Sequence, residues 1–217
     1  MQIKTFYFNP IRVCTYVIYD DTAHKAILID TGCYDDNERR RLLRFFEDNS
    51  LTPIAHLLTH AHLDHIFGAQ FVYEQWGLLP YLSPHDAPLY EHLPLQAQFF
   101  GIPFSDKTLD RYIPISNKQQ LDFGFLTVDT IATPGHTEGG VCYIVSDKTG
   151  AGQYLFTGDT LFCGGMGRTD LPGGDYSTLI HSIKDILFCL DDNMVVYPGH
   201  GLPTSIGQEK QFQRLYL

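Results

Sequence analysis

Four side chains that can bind metals lie within six residues of this chain, and this cluster constrains the fold more than any other feature. The segment Thr59–His65 reads Thr-His-Ala-His-Leu-Asp-His, an H-x-H-x-D-H string. With 10 histidines and 19 aspartates in 217 residues, such a string is expected by chance about 0.002 times. The cluster therefore predicts a metal site.

The spacing within the cluster predicts two adjacent metal ions. Side chains two positions apart in an extended segment point to the same side, so His60 and His62 can bind one ion as the chain leaves a strand. Asp64 and His65 follow where the next helix is predicted to begin, and they face another direction. The pattern differs from H-E-x-x-H, in which both histidines lie on one helix face.

Two ions need more ligands than this segment supplies, and the sequence offers three more polar side chains after later strands. His136 follows the predicted strand Leu126–Ala132, Asp159 follows Tyr154–Phe156, and His200 follows the last predicted strand. Each comes directly after Gly or Pro-Gly. We therefore expect each to lie in a sharp turn at one edge of a sheet.

Hydrophobic periodicity predicts one layered α/β domain, because strand-like and amphipathic runs alternate without a Pro/Gly/Ser linker. The predicted strands are Ile3–Phe8, Val13–Tyr19, Ala26–Ile29, Ile54–Leu58, Leu126–Ala132, Val141–Val145, Tyr154–Thr157 and Met194–Tyr197. Helices are predicted after Asp35, from Ile66 to Trp76, and from Tyr176 to Leu190. The proline- and aromatic-rich segment 80–117 is predicted to form short helices and loops that shape the pocket.

These motifs together resemble the metallo-β-lactamase superfamily, and the resemblance covers essentially the whole chain. It implies a four-layer αββα sandwich with a metal site along one edge of the two sheets. It also implies a ligand set in which His60, His62 and His136 bind the first metal, Asp64, His65 and His200 bind the second, and Asp159 bridges both. An aspartate at position 159 makes the chain most similar to the glyoxalase II-like hydrolases, so the resemblance disfavours antibiotic hydrolysis.

The resemblance implies hydrolysis of a thioester by a metal-bridging hydroxide, with Asp64 and Asp159 as catalytic residues. Two divalent ions lower the pKa of a shared water enough to give hydroxide at neutral pH. A thiolate leaving group, with a pKa near ~8.5, departs without a strong general acid. Histidine and carboxylate ligands suit zinc and also admit iron or manganese. The G-x-S-x-G and P-loop motifs of other enzyme classes are absent from the sequence.

Departures from the glyoxalase II pattern keep other reactions open. That enzyme carries a Lys-Phe-Tyr-type sequence near Arg168–Asp170 and a C-terminal helical domain, whereas few residues follow His200 here. The thiol of the substrate is therefore not fixed by the resemblance. The sequence Gly-Arg-Thr-Asp also resembles one found in persulfide dioxygenases, which use a single iron. A metal-bound hydroxide can, in addition, attack the carbonyl of a lactone. The alternatives are thus a mononuclear iron persulfide dioxygenase and a lactone hydrolase.

Three further residues are candidates for supporting roles. Arg168, in a glycine-rich loop, is predicted to bind the acidic part of the substrate, and pairing with Asp170 or Asp175 is the alternative. Tyr143 is predicted to line the pocket, with a core strand aromatic as the alternative. Asp30 is predicted either to orient a ligand histidine or to form a turn.

The composition excludes several classes of partner. The net charge of −10 argues against a general affinity for nucleic acids, and no apolar run is long enough to span a membrane. The N-terminal residues lack a signal-peptide pattern. Five scattered cysteines without C-x-x-C favour reduced thiols in the cytoplasm. Cys163 is predicted to be a packing residue, and the alternatives are that it senses oxidation or contacts a sulfur substrate. The expected partner is a small anionic thioester.

Overall fold

The structure, a computed structural model, describes residues 1–104, 109–150 and 152–213, with the side chain of the last residue left out. The chain divides into two compact units, Met1–Ile115 and Ser116–Leu217. Each unit contains one six-stranded sheet and several helices. The predicted α/β class is therefore confirmed, whereas the expectation of one undivided domain stays a prediction.

The sheet of the first unit has the strand order β1-β2-β3-β4-β5-β6. Its first three strands form an antiparallel meander, and the strands from β3 onward pair in parallel. The bounds are β1 Gln2–Phe8, β2 Val13–Asp20, β3 Lys25–Ile29, β4 Thr52–Leu57, β5 Pro80–Leu82 and β6 Ile113–Pro114. The strands β2 and β3 are almost wholly buried, as their apolar composition predicts.

Helix α1 spans Asp36–Asp48 and begins where the sequence predicts. The carboxylate of Asp35 accepts hydrogen bonds from the backbone N–H groups of Asn37 and Glu38, which is the usual way an N-cap stabilises a first turn. Leu42 and Phe46, four residues apart on one face, are buried against the sheet.

The predicted helix from Ile66 to Trp76 is wrong in one respect, because it consists of two helices, α2 Leu63–Ile66 and α3 Ala69–Trp76. The break lies at Gly68, whose N–H donates to the carbonyl of Thr31 at 2.7 Å. A Cβ at this position would lie 2.3 Å from the sulfur of Cys33. The close approach requires glycine and interrupts the helix.

The segment 80–117 contains the predicted short helices, α4 Ala87–Glu91 and α5 Leu93–Phe100. It also contains strands β5 and β6, which the sequence did not predict because they are only three and two residues long. Residues 105–108 of this segment lie outside the described residues.

The sheet of the second unit has the strand order β12-β11-β10-β9-β8-β7, antiparallel except for the pair β10 and β11. The bounds are β7 Gln120–Asp122, β8 Leu126–Ala132, β9 Val141–Asp147, β10 Gln153–Gly158, β11 Val195–Pro198 and β12 Thr204–Ser205. Helix α6 spans Tyr176–His181 and continues as a π-turn and a 3-10 turn to Cys189. Helix α7 spans Ile206–Gln213.

Among the described residues, no helix combines the length and apolar character needed to cross a membrane.

Candidate metal centre

The H-x-H-x-D-H string lies directly after strand β4 and ends in helix α2. His60, His62 and His65 are buried, with exposed fractions of 2%, 8% and 0%. The ring of His60 lies 4.9 Å from that of His62 and 4.1 Å from that of His65, measured between centroids. Three imidazoles are thus concentrated in a small buried volume. Burying such polar rings costs free energy unless their nitrogens are hydrogen-bonded or bind a ligand.

Asp30 organises this cluster from the end of strand β3. The residue has a positive φ of 49°, is almost fully buried, and directs its carboxylate toward the string. Its oxygens accept hydrogen bonds from the Thr59 N–H at 2.8 Å, the Thr59 hydroxyl at 2.7 Å and Nδ1 of His65 at 2.8 Å. The contact with His65 is the one expected of a residue that orients a ligand histidine.

Thr59 extends the same network to His60. Its hydroxyl lies 3.0 Å from Nδ1 of His60, and because its proton goes to Asp30, the hydroxyl accepts from that nitrogen. Both His60 and His65 therefore donate from Nδ1, and in the neutral form of each ring the lone pair lies on Nε2. This tautomer is the one in which Nε2 can bind a metal.

The carboxylate of Asp64 lies 3.5 Å from Nε2 of His65. The backbone of Asp64 is held by Asn9, whose side-chain amide donates to the carbonyls of Gly32 and Asp64 at 3.2 and 3.1 Å. A Cβ on Gly32 would lie 2.6 Å from the Asp64 carbonyl oxygen. The start of helix α2 is therefore closely packed against the loop after β3.

In the second unit, the three predicted ligands His136, Asp159 and His200 lie after strands β8, β10 and β11. Oδ2 of Asp159 is 3.6 Å from Nε2 of His136 and 3.7 Å from Nε2 of His200. The ligands of one tetrahedral zinc ion, with bonds of about 2.0–2.1 Å, lie about 3.3–3.4 Å apart. The observed spacing is close to this value.

His136 is oriented by a backbone group. Its Nδ1 donates to the carbonyl oxygen of Arg168 at 2.7 Å, which again leaves Nε2 for a ligand. The loop passes so close that a Cβ on Gly167 would lie 2.0 Å from the Asp159 carbonyl and 2.8 Å from Nδ1 of His136. Only glycine permits this approach.

Arg168, Tyr143 and Cys163, the other candidates from the sequence, lie in different environments. The Arg168 side chain forms a two-pronged ion pair with Asp170, with N–O distances of 2.6 and 2.7 Å, and this hydrogen bonding lowers the pKa of Asp170 to about 2. That pairing was the alternative to a substrate role. Tyr143 is fully buried in strand β9, which fits a core aromatic rather than a pocket residue. Cys163 is exposed.

One further histidine of the first unit is buried but lies outside the predicted ligand set. His56, on strand β4, is fully buried, and its Nε2 lies 2.9 Å from the hydroxyl of Thr31. Burial lowers the pKa of His56 to about 3. His56 is therefore neutral at physiological pH and has a structural role next to Asp30.

The donor set fits divalent metals. His60, His65 and His136 hold their Nδ1 protons on fixed acceptors, and the carboxylates of Asp64 and Asp159 lie at ligand spacing from histidine nitrogens. Imidazole nitrogen with carboxylate oxygen suits zinc and iron. The structure thus brings the predicted ligands of each unit together, and their metal-binding roles stay predictions.

Sequence reasoning assigned no role to Thr59 or to the Arg168 carbonyl. A hydroxyl directly before a ligand histidine is a weak signal that could have singled out Thr59. A backbone carbonyl carries no residue-specific signal, so the acceptor for His136 is visible only in the structure.

Comparison with known proteins gives one consistent family. A family model described as the metallo-beta-lactamase superfamily matches residues 10–200. The hydroxyacylglutathione hydrolase GloC of Haemophilus influenzae is 42% identical, over 90% of this chain and 88% of GloC. The crystal structure of BLEG-1, a B3 metallo-beta-lactamase, has a TM-score of 0.83 at 34% identity and covers 97% of both chains. TTHA1623, crystallised in a di-iron-bound form, has a TM-score of 0.82 at 36% identity, covering 96% of this chain and 98% of its own. These similarities span nearly the whole chain and confirm the predicted fold.

Proposed function

Because this chain belongs to the metallo-beta-lactamase superfamily, we propose that it is a dinuclear metal-dependent hydrolase that cleaves hydroxyacyl thioesters. The observation that carries the proposal is the 42% identity with a hydroxyacylglutathione hydrolase over 90% of this chain. The histidine and aspartate side chains described above, which are the ligand types of a dinuclear site, support the proposal further. The finer assignments below rest on the same resemblance.

We propose the ligand set that the resemblance implies. His60, His62 and His136 would hold the first metal, Asp64, His65 and His200 would hold the second, and Asp159 would serve both. The Nδ1 hydrogen bonds of His60, His65 and His136 support this assignment, because they leave Nε2 of each ring as the binding atom.

When bound, two divalent ions supply hydroxide at neutral pH and polarise the substrate carbonyl. The residues of the chain contribute position and charge. Asp30 keeps the proton of His65 on Nδ1, and the Arg168 carbonyl does the same for His136. A thioester needs no separate proton donor, since its thiolate leaving group has a pKa of about 8.5. This chemistry explains why no Ser-His dyad is required.

Zinc is our proposal for the native metal, because histidine-rich sites with carboxylates suit it. Iron has the same donor preference here, and TTHA1623 was crystallised with two iron ions. The five cysteines are thiols, which supports a reducing compartment such as the cytoplasm.

Arg168 is our candidate for binding the anionic part of the substrate. Its guanidinium is exposed and lies on the loop whose backbone orients His136. An anionic substrate would replace Asp170 as its partner, and an exposed ion pair is weak enough to be exchanged. The small anionic thioester remains the expected partner of this site.

The proposal is tested by measuring thiol release from a 2-hydroxyacylglutathione by the zinc-loaded protein. Asp159→Ala should abolish hydrolysis. Asp129→Ala, which removes an aspartate that accepts a hydrogen bond from the Gln120 side chain on strand β7, should leave hydrolysis unchanged. A wild-type protein that hydrolyses a lactam or a lactone but no hydroxyacyl thioester would contradict the proposed substrate class.

A further inference from the structure

The residue between the first two histidines of the string is held by side chains from the segment after strand β5. The N–H of Ala61 donates to Oδ2 of Asp86 at 3.0 Å, and the carbonyl of Ala61 accepts from Nε2 of Gln96 at 3.0 Å. Asp86 is fully buried, and Ala61 is buried as well. Both backbone groups of Ala61 are therefore fixed by side chains distant in sequence.

Gln96 contacts the peptide bonds on both sides of His62. While its Nε2 donates to the Ala61 carbonyl, its Oε1 accepts from the N–H of Leu63 at 3.1 Å. The orientation of the amide is not ambiguous, because one end faces carbonyl oxygens and the other faces an N–H group. One side chain thus fixes the two peptide planes that set the direction of the His62 side chain.

The Gln96 amide is itself held in place. Its Nε2 also donates to the carbonyl of Leu89 in helix α4, so the rotamer is determined by three hydrogen bonds. His62 occupies the N-cap position of helix α2, where no side-chain cap bonds to the helix. The Leu63 N–H is one of the unsatisfied donors of the first turn, and Gln96 satisfies it.

From this geometry we infer that Gln96 is the positioning residue for His62 as a metal ligand. The inference rests on the proposed metal site. It assigns a role to helix α5, whose contribution the sequence pattern did not reveal. A ligand held within a fraction of an ångström binds without further ordering, so loosening His62 should weaken the metal that it binds.

The test compares Gln96→Met with Gln98→Met in zinc titrations against a chromophoric chelator. Methionine keeps the length of glutamine and removes both the donor and the acceptor. Gln98 is exposed on the same helix and provides the matched control. We expect Gln96→Met to weaken one of two zinc equivalents about tenfold, with the other equivalent and the Gln98→Met variant unchanged.

Urea unfolding of the metal-free variants separates positioning from general stability. A purely structural role would lower the stability of metal-free Gln96→Met and leave both zinc affinities of the folded protein at the wild-type values, which would overturn the inference. If the methionine variant does not fold, Gln96→Glu, which keeps only the acceptor for Leu63, should show the same selective weakening. A wild-type protein that binds no zinc or iron would refute the proposed function, whereas two tightly bound ions unaffected by either variant would refute only the role of Gln96.

Discussion

Replacing Asp30 with asparagine should move protons within the histidine cluster. The Asp30 carboxylate accepts three hydrogen bonds, from the Thr59 N–H, the Thr59 hydroxyl and Nδ1 of His65. Asparagine offers one acceptor oxygen and one donor group. Its oxygen must face the Thr59 N–H, because that donor cannot reverse, so its NH₂ group faces the hydroxyl and His65.

Both partners of the NH₂ group must then reverse their roles. His65 accepts at Nδ1 and carries its proton on Nε2. The Thr59 hydroxyl accepts from asparagine and donates to Nδ1 of His60, 3.0 Å away, so His60 also carries its proton on Nε2. A protonated Nε2 cannot bind a metal.

The expected loss of zinc affinity lies at the upper end of the range measured for residues that orient metal ligands, because the tautomers of two histidines change together. That range is about 10–100-fold, so we expect about 100-fold weaker zinc binding by Asp30→Asn, or about 2.7 kcal/mol. The fold should persist, because the side chain keeps its size. The three charge-assisted hydrogen bonds of Asp30 become neutral ones, which are weaker, so the free energy of unfolding should fall without loss of the fold.

The assay is a chelator competition for zinc combined with ¹⁵N NMR of the imidazoles in the metal-free protein. Asp30→Asn should show His60 and His65 protonated on Nε2. Asp48→Asn, at the exposed end of helix α1, is the matched control and should match the wild type. If Asp30→Asn keeps both Nδ1 protons and full zinc affinity, the network does not control the tautomers and the reasoning is refuted.

Three further changes have defined outcomes. Burial lowers the pKa of His56 to about 3, whereas a histidine in the unfolded chain has a pKa of about 6.5. The free energy of unfolding should therefore fall as the pH drops below about 6.5, by up to about 1.4 kcal/mol per pH unit. His56→Gln should make this decrease smaller when stability is measured by urea unfolding. Arg168→Ala should raise KM for an anionic thioester and leave kcat unchanged, and an unchanged KM removes its substrate role. Gly167→Ala, whose Cβ would lie 2.0 Å from the Asp159 carbonyl, should reduce activity about 10–100-fold. Gly165→Ala, which meets nothing within 4 Å among the described residues, should retain activity in the same kinetic assay.

The elements that carry the candidate ligands could be predicted from sequence because their signals are local. Apolar runs predicted strands β1 to β4 and β8 to β11, and the polar residues that follow several of these strands are the candidate ligands. The Asp35 cap and the apolar face of helix α1 were equally local. The site segments of each unit could therefore be located from sequence before their geometry was known.

The remaining features depend on contacts between segments far apart in sequence. Gln96 reaches Leu63 across 33 positions, and nothing in the pattern of helix α5 identifies this role. The break at Gly68 results from the approach to Thr31 and Cys33, so helical periodicity alone predicted one helix instead of two. The acceptor for His136 is a backbone carbonyl, which any residue at position 168 would supply.

The metal content of active protein decides whether this chain has a dinuclear metal site that hydrolyses thioesters. Elemental analysis of protein purified without added metal should be combined with the rate of thiol release from a hydroxyacyl thioester. We predict about two divalent ions per chain and thioesterase activity that rises with occupancy of the second ion. A single iron per chain, with oxygen consumed on a persulfide and no thioester hydrolysis, would show that the site is not a dinuclear hydrolase centre.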